Sequence, residues 1–194
     1  MAENTKQRII AAAIELFSTK GYAGTSMNDI IEKVDKSKGS VYWHFTSKEE
    51  IYLSAVRESF EQWFDLVERE LAGVEDPLEK LRAYSRVFIS TVDIPTWRLT
   101  PESYWTEFSE QTRSELDELL AKDDDIVCDI LKEGMECGLL RADDTAKLTW
   151  VYFSLVEGMF EKVVFAYRHA PKTRPALEGY AAEAVEAFID AIRA

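Results

Sequence analysis

The sequence has little from which to build a catalytic or metal centre. Among 194 residues there are two histidines, His44 and His169, and two cysteines, Cys128 and Cys137. Neither histidine stands at a metal or triad spacing, no Glu-x-x-His pair marks a bundle metal site, and no Gly-rich phosphate loop occurs. No metal, cofactor or enzymatic activity is therefore expected. Asp123-Asp124-Asp125 reads as a solvated helix face, because adjacent helical residues point in different directions. On one helix Cys128 and Cys137 would face opposite ways, ~13 Å apart along the axis, too far to pair. Two buried thiols, or a redox contact between subunits, stay open. No apolar run approaches the ~20 residues of a membrane helix. The start, Met1–Lys6, lacks a basic head before an apolar stretch, so a cytoplasmic address without a membrane partner is expected. Prolines number five and glycines eight, most of them where helices should begin or end, and strand-type alternation is nowhere sustained.

What is present is helix and negative charge. The formal net charge is −13, which argues at first against a nucleic-acid partner. Its distribution is uneven: residues 1–60 hold eight basic and eight acidic side chains, and the rest of the chain holds 15 and 28. A neutral head can approach DNA where an acidic body cannot. Apolar periodicity places a first helix from Asn4 or Thr5, where Asn4 and Gln7 stand at capping-box spacing, to Gly21. A second runs from Ser26 to about Val34, a third from Ser37 to Phe45, and a long fourth from Ser47 to Gly73. Ser26 with Asp29 and Ser47 with Glu50 have capping-box spacing. Later helices are expected at about 77–92, 101–110, 113–137, 144–168 and 175–193. The fold class is all-α, with about nine helices: a three-helix helix-turn-helix head over residues 1–50 and a helical bundle over 51–194.

On a helical wheel Val41 and Phe45 face inward with Ile30 and Ile31, and Lys38 and Tyr42 fall opposite, beside Gly39 and Trp43. A cation, a hydroxyl and a large ring suit phosphate, guanine and thymine methyl in a major groove. Gly39 would let the helix backbone approach base edges. Serines at the three helix starts would offer backbone N–H groups to phosphates. The same aromatics could instead pack beneath the fourth helix, with Lys38 as ordinary solvated charge.

Residues 25–31 (TSMNDII), 37–45 (SKGSVYWHF) and 48–52 (KEEIY), with Ala11–Phe17 and Gly21-Tyr22 before them, resemble the DNA-binding head of the TetR (TetR/AcrR) family of bacterial regulators. The likeness covers about residues 7–53. It implies phosphate contacts from Thr25, Tyr42, His44 and Lys48, and base-edge contacts from Lys38, Gly39, Ser40 and Trp43. On the wheel His44 lies nearer the inward face, so a packing role for it stays open. Where the family has Gly and an apolar residue in the turn, this chain has Asp35-Lys36; Asp tolerates a left-handed turn, and Lys36 adds a cation.

The remainder is rich in aromatics. Trp97, in a Pro-bounded loop, is followed by Tyr104, Trp105 and Phe108 on a short helix, which suits the wall and gate of a pocket. With Trp150 and Phe153 they are the candidate ligand-binding rings. Glu107 and Glu157 are candidates to counter a cationic, lipophilic ligand. Family resemblance implies an effector, of unknown identity, held within this body. The last two helices carry apolar arcs wider than one core needs, including Tyr152, Leu155, Met159, Val163, Ala181, Val185 and Phe188. That width points to a homodimer, through a four-helix contact about a two-fold axis. The resulting expectation is a homodimeric regulator of transcription, on the family's usual logic a repressor. It binds a palindromic site on double-stranded DNA and is released by a small molecule. The competing expectation is a protein-binding or anti-repressor module whose head no longer binds DNA.

Overall fold

The computed structural model describes residues 2–91, 99 and 106–194. Among these there are eight α-helices, a single 3-10 turn at Pro171–Thr173 and no strand. The helices are α1 (Ala2–Lys20), α2 (Met27–Val34), α3 (Lys38–His44), α4 (Lys48–Leu71), α5 (Pro77–Ser90), α6 (Glu110–Glu136), α7 (Thr145–His169) and α8 (Arg174–Ile192). Most bounds fall within three residues of the sequence reading. Of the helix expected over residues 101–110, residues 101–105 lie outside the described residues, and residues 106–109 are not helical. By contact the chain divides into two compact units, Met1–Trp63 with Ile94–Leu120, and Phe64–Asp93 with Ala121–Ala194. The boundary expected at residue 50 falls inside the first.

In the first unit α1, α2 and α3 form the three-helix head. Ile9, Ala13, Phe17, Ile30, Val34, Val41 and Phe45 are buried, which is the inward stripe that 3.6-residue periodicity requires. Ile31, expected inside as well, is half-buried. α1 begins at Ala2, ahead of the expected Asn4–Gln7 cap. Ser26 closes the start of α2: its hydroxyl accepts from the Asp29 amide at 3.1 Å and its own amide donates to the Asp29 carboxylate at 2.8 Å. Lys20, 2.6 Å from Asp29, and then Ser26 hold that carboxyl well below the usual range. Asp35 ends α2 at φ 53°, ψ 54°, the left-handed region, and its amide donates to the Glu32 carbonyl. Arg8 donates to the Val34 carbonyl at 3.1 Å, pinning the same helix end to α1.

The second unit is organised around rings. Tyr84 lies 5.9 Å from Phe153, edge to face, and Phe88 lies 5.1 Å from Phe160. The buried Tyr152 hydroxyl donates to the Leu81 carbonyl at 2.6 Å, and the Tyr84 hydroxyl donates to Asp123 at 2.7 Å. Arg82 grips Glu186 through two nitrogens, at 2.5 and 2.8 Å. A Cβ on Gly134 would meet Leu140 Cδ1 at 2.6 Å, so glycine permits the turn at Gly138 to fold back onto α6. There Arg141 donates to the Ile192 carbonyl and Ala194 donates to Leu139, tying the chain end to the α6–α7 turn. Cys128 is half-buried and Cys137 exposed, both as free thiols.

The turn at Asp35 tests the local backbone argument. Replacing Asp35 with Val should lower the unfolding free energy by about 1–2 kcal/mol, because a β-branched side chain strains at positive φ. Asp35→Gly should match or exceed the wild type. Urea denaturation of the three proteins measures both differences.

Candidate nucleic-acid interface and ligand residues

α3 is a seven-residue helix capped at Ser37, whose hydroxyl accepts from the Ser40 amide at 3.2 Å. Burying Val41 and Phe45 turns the opposite face outward. There Tyr42 is 41% and Trp43 73% exposed, so neither packs beneath α4. Lys38 Nζ stands 5.6 Å from the centre of the Tyr42 ring, as expected of side chains four apart. A Cβ at Gly39 would have nothing within 4 Å. Its missing side chain therefore answers no need inside the described protein, although glycine costs a helix about 1 kcal/mol against alanine. Ser40 and His44 are half-buried, and the His44 ring meets Trp43 edge to face at 4.5 Å.

Charge is distributed around this face selectively. Lys20 is spent on Asp29 and Lys33 on Glu15, each at 2.6 Å. Lys36 and Lys38 form no ion pair among the described residues. The turn and the first residue of α3 thus present two cations beside two aromatic rings.

Two residues implied as phosphate contacts do other work. The Thr25 side chain is 1% exposed and its hydroxyl donates to the Gly21 carbonyl at 2.8 Å. Lys48 Nζ donates to the carbonyls of Tyr22 and Thr25, at 2.8 and 2.9 Å, and sits 4.0 Å from the centre of the Tyr22 ring. It joins the start of α4 to the α1–α2 turn. Sequence spacing could not reveal this, because the carbonyls it serves lie 26 and 23 positions away.

The ligand-binding candidates separate. Trp97, Tyr104 and Trp105 lie outside the described residues. Phe108 belongs to the first unit, where it stacks on Tyr52 at 5.1 Å and meets Tyr22 edge-on at 5.1 Å, and exposed Glu107 precedes it. Trp150 is 73% exposed and so lines no interior wall; Glu157, on the same side of α7, is exposed as well but partly desolvated. Phe153 and Glu157 remain, one turn apart. Phe153 packs on Tyr84, beside the buried Asp123. Partial desolvation pushes the Glu157 carboxyl above its ordinary range, and Asp123, Asp124 and Glu161 push it further. Separately, an apolar groove of about 780 Å³ is lined by Phe64, Val67, Leu71, Val74, Ile126 and Ile130, with Lys80 and Lys122 at its edge. None of the expected ligand residues lines it.

Of the residues expected at a subunit contact, Tyr152, Val163, Ala181, Val185 and Phe188 are buried within the second unit itself, and Leu155 and Met159 are half-buried. The inner edge of these apolar arcs fills the protomer's own core. The outer edge carries Val151, Phe165 and Tyr180, at 40%, 63% and 58% exposure.

A head of this construction, with a capped short helix presenting cations and rings outward, defines a helix-turn-helix protein. Residues 9–55 match the family model described as bacterial regulatory proteins, tetR family. The head is thus similar to the DNA-binding head of that family. It is 45% identical over 64 residues to the biofilm operon icaADBC HTH-type negative transcriptional regulator IcaR of Staphylococcus epidermidis, a match covering 33% of this chain and 35% of that protein. The chain thus spans about a third of the length of that curated relative. A transcriptional regulator of Saccharomonospora viridis in complex with choline superposes with a TM-score of 0.83, at 21% identity, over 99% of both chains. The regulator FadR of Bacillus subtilis in complex with stearoyl-CoA gives 0.80, at 20% identity, over 96% of this chain and 98% of that one. These two likenesses show the fold. Among the described residues no helix is long and apolar enough to cross a membrane.

The clamp at Lys48 has a measurable consequence. Lys48→Met should destabilise the protein by about 2 kcal/mol in urea unfolding, by orphaning two carbonyls and removing a charge-assisted pair of hydrogen bonds. Unchanged stability with weakened DNA binding would return Lys48 to the phosphate role.

Proposed function

We propose that this protein is a ligand-responsive regulator of transcription, which binds a palindromic operator on double-stranded DNA as a homodimer. The observation that carries the reading is the outer face of α3: Lys38, Tyr42 and Trp43 exposed around a glycine that internal packing does not require. In a helix-turn-helix protein this face enters the major groove, with Lys38 reaching guanine or phosphate and Gly39 allowing close approach. Lys36 and the Tyr42 hydroxyl serve the flanking phosphates. Two such helices, related by a two-fold axis, read half-sites ~34 Å apart. The outward apolar edge with Val151, Phe165 and Tyr180 supports pairing of subunits. The head's kinship to IcaR, a negative regulator, supports repression.

For the effector we propose a cation of modest size with an apolar surface. Phe153 and Tyr84 supply ring faces, and Asp123 and Glu157 supply negative charge in partly desolvated surroundings. A bound cation relieves the crowding of carboxylates there and gains from the rings. The choline complex of the Saccharomonospora viridis protein supports this class. Ligand binding would then favour a state in which both heads no longer reach their grooves together, and operator affinity falls.

Selection from a random and genomic DNA pool near physiological salt should enrich a palindrome, with affinity falling steeply as salt rises. Lys38→Ala should lose ~1–3 kcal/mol of operator binding. Gly39→Ala should also weaken binding, while leaving the fold as stable or more so. A folded dimer that enriches no sequence would favour the protein-binding alternative. For the effector site, choline titrated calorimetrically should bind wild type better than Glu157→Gln. Because the Glu157 carboxyl is raised, its charge is lost as pH falls sooner than that of an ordinary glutamate near ~4.3. Choline affinity should weaken over that same range in wild type, and not in Glu157→Gln. If Ile130→Trp alone blocks binding, the apolar groove is the site instead.

A further inference from the structure

Within the first unit, four contacts join the opening turns of α4 to Leu99, Phe108, Ser109 and Glu115. The Tyr52 hydroxyl donates to the Leu99 carbonyl at 2.5 Å. Phe108 fills the angle between Tyr22 and Tyr52, and Arg57 pairs with Glu115. The fourth is the most directional. The Glu49 carboxylate accepts from the Ser109 amide at 2.9 Å and from its hydroxyl at 2.5 Å. Ser109 in turn stands at the start of α6: its hydroxyl accepts from the Thr112 amide at 3.3 Å and its carbonyl from Arg113 at 2.9 Å. A carboxylate at that position also faces the positive end of a 27-residue helix. The Ser109 hydroxyl, then the Thr112 side chain and the Ser109 amide, hold Glu49 below its ordinary carboxylate range.

Glu49 occupies the second position of α4, next to Lys48, which clamps the α1–α2 turn, and five residues after the end of α3. A tether at this point acts on the whole head through one short lever. Nothing about it suits direct contact with DNA, because a carboxylate repels phosphate.

We propose that Glu49 is a positioning residue for operator binding: its bond to the start of α6 sets the direction of α4 and hence the spacing at which two heads are presented to DNA. This rests on the operator-binding reading above. A duplex holding one half-site does not sense the spacing of two heads, whereas a full palindrome does. The loss on weakening the tether therefore falls on the full site alone.

The experiment uses full-length wild type, Glu49→Ala, Glu49→Gln and Ser109→Ala, with the palindrome selected by wild type and a duplex carrying one half of it. Glu49→Ala and Ser109→Ala should bind the full site about tenfold more weakly and the half-site within twofold of wild type. Glu49→Gln keeps an acceptor for the Ser109 amide and should fall between. Amide exchange at residues 110–113 should quicken in both alanine variants without DNA. Equal losses on both duplexes would overturn the proposal in favour of a general folding effect, and so would no loss on either. Exchange reads the tether separately from DNA: wild type without any palindrome to select would defeat the operator reading and this proposal together, whereas selective wild-type binding with unaltered variants defeats this proposal alone.

Discussion

A helix of seven residues cannot hold itself in place; too few of its backbone groups are paired internally for it to stand alone in water. What holds α3 is the packing of Val41 and Phe45 behind it and the fixed origin of α4 after it. That origin is set by one ammonium group. Lys48 shares its protons between two carbonyls of the α1–α2 turn and lays its charge on the Tyr22 ring. Tyr22 is thereby placed against Phe17, Tyr52 and Phe108. The aromatic cluster, the α1–α2 turn and the first turn of α4 are thus one assembly, and the outward face of α3 is held out by it.

Much of the head was legible because short helices leave few choices. Serine caps at Ser26 and Ser37 and one left-handed turn at Asp35 determine where α2 and α3 begin and end, and 3.6-residue apolar periodicity determines which side is buried. Asp35 adopts the positive φ expected of it. The outward Lys38, Tyr42 and Trp43 followed from the wheel alone. The roles of Thr25 and Lys48 were not legible in the same way. A threonine and a lysine beside an outward-facing helix of cations and rings resemble anion contacts in sequence, and only tertiary structure reveals the carbonyls that take up their donors. Glu49 carried no signal at all, since its partner is 60 residues away.

In the acidic remainder, composition revealed abundance without direction. Aromatic residues at helical spacing serve a core, a pocket wall or a subunit contact equally well in sequence. Structure separates them by phase: on α7, Tyr152, Phe153, Val156, Phe160 and Val163 turn inward, while Trp150, Val151 and Phe165 turn out. Tyr180 on α8, which sequence reasoning passed over, is exposed as well. In the effector site proposed above, Asp123 lies against Tyr84 and Glu157 stands one turn from Phe153. Elsewhere the acidic bias makes a solvated negative surface, of the kind that repels phosphate.

Hydroxyl-radical footprinting of the selected palindrome tests the central claim most directly, because it reports which sugars lie under the protein. The account predicts two protected patches about one helical turn apart, ~34 Å, both lost in Lys38→Ala at the same protein concentration. One patch, uniform protection, or a footprint indifferent to Lys38 would contradict it.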